Sequence, residues 1–136
     1  MAALTNDRDT RSRAGTRRAL GAAADVLVHA GAIVVRNAAG FAAPGTTALG
    51  LAALGIAQER VDNRNGVAGA LPVEIDTGVF QVGNSAGADE LTAADIGADC
   101  YLVDDQTVAK TNGGNTRSPA GKVFDVDAAG VWVRFA

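Results

Sequence analysis

One cysteine, one histidine, one tryptophan, one tyrosine and three prolines stand in a chain of 136 residues, and each scarcity removes a class of protein. Cys100 has no partner in the chain, so no disulfide framework holds the fold. Its place in the apolar run 100–103 marks it as a small buried hydrophobe suited to a reducing compartment. His29 has no second imidazole and no thiol cluster to join in binding a metal. No apolar run reaches the about eighteen residues that cross a bilayer as a helix. Residues 1–20 carry Arg and Asp where a signal peptide has an apolar core, which predicts synthesis in the cytoplasm.

Aromatics make up only 4% of the chain, so the core must be assembled from many small Ala and Val side chains. Each buries little area, which predicts modest stability per residue and a gain from assembly with partners. The length fits one domain that buries roughly two thirds of the surface of its unfolded chain.

Charge is unevenly placed. Arg8, Arg11, Arg13, Arg17 and Arg18 against Asp7 and Asp9 give residues 1–20 a charge of +3, which leaves −6 on residues 21–136 of a chain whose total is −3. The stretch "MAALTNDRDTRSRAGTRRAL" has neither a helical stripe nor strict alternation, so residues 1–20 are expected to form an extended basic arm, ordered against a partner. Residues 21–136 are expected to form a single β-rich domain. Runs 26–28 and 33–35 read as short strands about a His-Ala-Gly turn. Asn37-Ala38-Ala39-Gly40 and Asp127-Ala128-Ala129-Gly130 share the chemistry of a type I turn closed by a glycine, each joining two strands in a hairpin. In 71–76, Leu71, Val73 and Ile75 alternate with Glu74 and Asp76, as a half-buried strand requires. The run 49–56 fits helix or strand; Gly50 and Gly55 each cost a helix about 1 kcal/mol, which favours strand. Thr92 offers an N-cap for one short helical turn, and 100–103, 107–110, 121–126 and 131–135 read as further strands. Asn112-Gly113-Gly114-Asn115 reads as the tip of a long hairpin whose return strand is 121–126. No helix long enough for a βαβ unit intervenes, so the fold class is mainly β: a small antiparallel β-barrel or β-tulip-like domain with an extended N-terminal arm.

The catalytic motifs are fragmentary. Gly83-Asn84-Ser85-Ala86-Gly87 matches the spacing of a hydrolase nucleophile turn, but that motif needs Asp and then His downstream, and His29 lies upstream. Asp125-Val126-Asp127 begins like a calcium loop, yet Ala129 holds the third ligand position; Asp62–Gly66 fails likewise. Asp104-Asp105 is a carboxylate pair, but neighbours in a strand point apart, and Asp-Asp-Gln is a good turn sequence. There is no phosphate loop and no dinucleotide fingerprint. No catalytic, metal or cofactor site is therefore expected. A small hydrolase using Ser85 or Asp104 and Asp105, and a DNA-binding accessory protein using the basic arm, remain as alternative readings; the arm has no interleaved aromatics for base stacking, and the acidic body repels a polyanion.

The segments "MAALTNDRDT", "GLAALGIAQERVDN", "VEIDTGVFQVGNSAGADELTAADIGADCYLVDDQTVAKT" and "SPAGKVFDVDAAGVWVRF" resemble the small capsid cement, or head decoration, proteins of tailed phages and Mu-like prophages. The resemblance covers nearly the whole chain. It implies a structural protein of the virion, made in the bacterial cytoplasm, that binds the outer surface of the expanded head as a homotrimer and stabilises it against internal DNA pressure. The implied partner is the major capsid protein, with no small-molecule substrate, no direct nucleic acid and no membrane. Three weak contacts made by one trimer hold firmly through effective concentration, and Arg8, Arg11, Arg13, Arg17 and Arg18 are the expected capsid contacts.

Overall fold

The computed structural model describes residues 2–135. Twelve strands and two short 3-10 turns follow in chain order: β1 (Arg17–Gly21), β2 (Leu27–Val28), β3 (Ile33–Arg36), β4 (Ala42–Pro44), β5 (Ala52–Ala57), β6 (Val61–Asp62), β7 (Pro72–Asp76), β8 (Gly78–Asn84), the turns Gly87–Asp89 and Ala93–Asp95, β9 (Asp99–Leu102), β10 (Thr107–Ala109), β11 (Pro119–Asp127) and β12 (Gly130–Phe135). The chain is mainly β, and its second half is a closed five-stranded barrel in the order β10-β8-β12-β11-β9, with β9 paired back to β10. Four of the five pairings are antiparallel; β10 and β8 run parallel.

The first half forms a five-stranded sheet, β1-β7-β5-β3-β4, and a two-stranded ribbon, β2-β6. Ala22, just past β1, bridges Ala42 of β4, so the two edges of the sheet meet at that end and the sheet curls. Strand β3 serves both halves. Ile33 and Val35 belong to the barrel core with Leu102, Val108, Val133 and Phe135. Val34, pointing the opposite way, belongs to a second core with Val28, Leu54, Val73 and Ile75. A continuous Ile-Val-Val run is what a strand buried on both faces needs.

Both Asx-Ala-Ala-Gly turns form the expected hairpins. The Asn37 side-chain oxygen accepts from the backbone N–H of Ala39 and of Phe41 at 3.0 Å, Gly40 takes φ 91°, and β3 turns into β4. Asp127 accepts from Ala129 at 2.9 Å and Gly130 at 3.1 Å, and β11 turns into β12. Val73 and Ile75 are buried while Glu74 and Asp76 are half-buried. The ambiguous run is strand β5, and Thr92 with Asp95 makes a reciprocal capping box over the second 3-10 turn.

Three expectations change. Leu71, expected on the buried face with Val73 and Ile75, lies before β7 and is exposed. Residues 112–115 are not a hairpin tip, because β9 lies between β10 and β11; the loop is a crossover that carries the chain past β9. The strand β1 takes in Arg17 to Leu20, which the sequence counted with the arm. Residues 2–16 have no regular secondary structure and are exposed.

Candidate partner-binding surface

Strand β1 is an edge of the curled sheet, antiparallel to β7, with Arg18 opposite Ile75 and Leu20 opposite Val73. Directly opposed residues share a face. Since Ile75 and Val73 belong to the second core, Arg18 and Leu20 point to that concave side. Arg36 stands on the same side, two residues beyond Val34 and opposite Ala42, another member of that core. The result is a groove of about 490 Å³ at the mouth of the sheet, with Arg18 and Arg36 on its walls and Leu20 and Leu54 among its lining. Arg13 and Arg17 border it, and none of its lining residues is acidic.

Of these arginines, Arg17 is engaged. Its guanidinium lies 3.3 Å from Asp76, which also accepts from the Gln58 amide at 2.7 Å. Arg36 donates to the Asn37 carbonyl at 2.9 Å. Among the described residues, Arg8, Arg11, Arg13, Arg18 and Arg36 make no ion pair within the chain. The structure thus places two of the five sequence-predicted arginines on β1 and three on the exposed segment before it. Arg36 and the leucines beneath it were not singled out from sequence. The available signal was an arginine ending an apolar strand run on a core-facing position.

A second exposed feature lies in the loop between β6 and β7. Residues 67–72, Val-Ala-Gly-Ala-Leu-Pro, are uncharged and exposed throughout, with Val67 at 73%. The loop is held from below by Asn63, which is buried and donates through its amide to the carbonyls of Ala23 at 2.9 Å and Val67 at 3.0 Å. Ser118, the other buried polar side chain among the described residues, donates to the Ala48 carbonyl at 2.7 Å and accepts from the Leu51 N–H at 3.1 Å, fixing the loop before β5 against the barrel.

The fragments of catalytic motif have structural occupations. The Ser85 hydroxyl donates to the Val108 carbonyl at 2.9 Å across the parallel β8–β10 pair. Asp104 and Asp105 lie in the bend between β9 and β10: an Asp104 carboxylate oxygen accepts from the Gln106 N–H at 2.9 Å, and the Asp105 carbonyl accepts from the Ile33 N–H at 2.7 Å, docking the bend on β3. His29 is exposed and shares a shallow cavity of about 260 Å³ with Asp105 and Gln106, a meeting the sequence did not suggest; His29 and Asp105 form no ion pair there. Asp62 is clasped by Arg64 through Nε at 2.9 Å and Nη2 at 2.7 Å, which holds its carboxyl well below the usual carboxylate range. Asp127 is held low first by the Trp132 indole, which donates to it at 2.9 Å, and then by the turn amides. Asp89 is held low by Thr111 and then by Arg117, 3.2 Å away, an arrangement that ties the crossover loop to the first 3-10 turn. Burial pushes the Cys100 thiol up to about 12, so it stays protonated at neutral pH, as a packed hydrophobe should.

Comparison of the chain with models of known protein families, with curated proteins and with solved structures finds no match.

Proposed function

We propose that this chain is a structural decoration protein that binds the outer surface of a phage head, meets the major capsid protein there, and acts without catalysing a reaction. The observation that carries the reading is a division of labour in the surface. Two cores are closed around β3, while, among the described residues, Arg8, Arg11, Arg13, Arg18 and Arg36 make no ion pair and the uncharged loop 67–72 is exposed. Arginine gives directional, charge-assisted contacts to carboxylates, and exposed apolar loops supply area for burial against a neighbour. The sequence resemblance to head decoration proteins points the same way, and trimeric placement on the shell multiplies such contacts. Binding is tested by sedimenting the protein with purified expanded heads that lack it: recovery in the pellet is expected, and a chain that stays in the supernatant overturns the proposal.

A further inference from the structure

The groove beside β1 carries an inference that goes beyond attachment to a head, because its ligand is defined by chemistry alone. Arg18 and Arg36 come from different strands, yet β-sheet register turns both to the concave side of one sheet. Leu20 and Leu54, which lie with them in the groove, are half-buried and buried. Among the described residues, neither guanidinium meets a carboxylate, and none that lines the groove is acidic. Arg17 shows the contrast, since its charge is answered by Asp76. The sheet also ends at β1, so along Arg17 to Leu20 no strand lies on its outer side among the described residues.

We propose that this groove binds an acidic segment of a partner polypeptide, added as a strand along the free edge of β1. The partner's main chain pairs with β1, one of its carboxylates meets Arg18 and Arg36, and an apolar residue two positions away, on the same face, covers Leu20 and Leu54. The apolar lining and the absence of an aromatic platform in the groove favour a polypeptide over a nucleic acid. The charge of −6 beyond residue 20 also opposes a long polyanion.

The probe is a short fluorescein-labelled peptide of Glu-Thr-Val-Thr repeats, which sets Glu and Val on one face of a strand, read by fluorescence anisotropy against the intact protein. Saturable binding is expected, weakened about tenfold or more by Arg18→Gln and by Arg36→Gln, as the loss of one charge-assisted contact implies. Arg36→Lys, which keeps the charge without the fork, should fall between. Arg134→Gln, on the barrel, should bind like the parent. Circular dichroism of each variant separates lost binding from lost folding; should Arg36→Gln fail to fold, Arg18→Gln, on an edge strand, decides. Equal binding of a Gln-Thr-Val-Thr peptide, indifference to both substitutions, or duplex DNA bound in preference with the same arginine dependence would each overturn the proposal. Heads that bind the protein while the peptide does not would overturn it and leave the decoration reading standing.

Discussion

Replacing Asn63 tests how the apolar loop is held on the surface. The Asn63 amide is the donor to two carbonyls, that of Ala23 before β2 and that of Val67 after β6, at one end of the ribbon β2-β6. Asn63→Ala takes this donor from both, although the Val67 carbonyl still accepts from the Ala70 N–H at 3.2 Å. The Ala23 contact is buried, so that carbonyl loses its donor without access to water, whereas Val67 is exposed and its carbonyl can be rehydrated. One full desolvation penalty of about 1–3 kcal/mol at Ala23, with little added at Val67, gives an expected loss of about 2 kcal/mol. At about 4 °C for each kcal/mol in a domain of this size, Tm falls by about 8 °C. Urea titration followed by far-ultraviolet circular dichroism should show a lower midpoint with an unchanged slope. Asn63→Asp sharpens the test. At neutral pH it removes the donors and directs a carboxylate at two carbonyl oxygens, so it should cost more than alanine. Burial raises the pKa of the introduced acid above its unfolded value of about 3.9. The folded state then binds more protons than the unfolded one, and the deficit shrinks as pH falls from neutral toward that value. An Asn63→Ala protein within about 0.5 kcal/mol of the parent, which is the range of an ordinary surface change, or an Asn63→Asp protein as stable as the parent at neutral pH, would refute the reasoning.

Two further outcomes follow from local geometry. Gly55 sits at φ 152°, and a Cβ there would collide with the Asp76 carbonyl of β7, so Gly55→Ala should destabilise by about 3 kcal/mol or more through strain and lost β5–β7 pairing; a Tm equal to the parent's would contradict the register described. Trp132 is the one tryptophan and its indole donates to Asp127, whose folded pKa is depressed. That contact is present above the unfolded value of about 3.9 and lost as pH falls through the lower folded one, so Trp132 fluorescence should hold steady through pH 4 and change only below it. Asp127→Ala should show the acid spectrum at neutral pH, and a transition centred at or above pH 4 would count against the bond.

The parts of the fold that were legible in the sequence are those decided by near neighbours. An Asx side chain reaching the amides two to four residues on makes the 37–40 and 127–130 turns, and alternation in 71–76 records a half-buried strand without reference to its partner, though Leu71 falls outside the strand and is exposed. Thr92 and Asp95 likewise cap one another within a single turn. Long-range pairing left no such trace. That β2 pairs with β6, that β9 lies between β10 and β11, and that β8 and β10 run parallel are set by contacts between residues far apart in sequence. The crossover at 112–115 therefore carries the same Asn-Gly grammar as a hairpin. Asn63 and Ser118 read as ordinary loop residues, because their burial comes from segments about forty and seventy positions away. The arginines of 8–18 were visible as a charge cluster. The groove that Arg18 forms with Arg36 was not, since only the register of β1 on β7 and of β3 on β4 turns both to one side.

The proposed role on a phage head is tested most directly by co-sedimentation with expanded heads, comparing the intact chain with one lacking residues 2–16. The intact chain should pellet with the heads to a saturating ratio, and the shortened chain, folded by circular dichroism, should pellet more weakly, with the difference narrowing as salt screens the arginines. An intact, folded chain that remains in the supernatant at every head concentration would contradict the account.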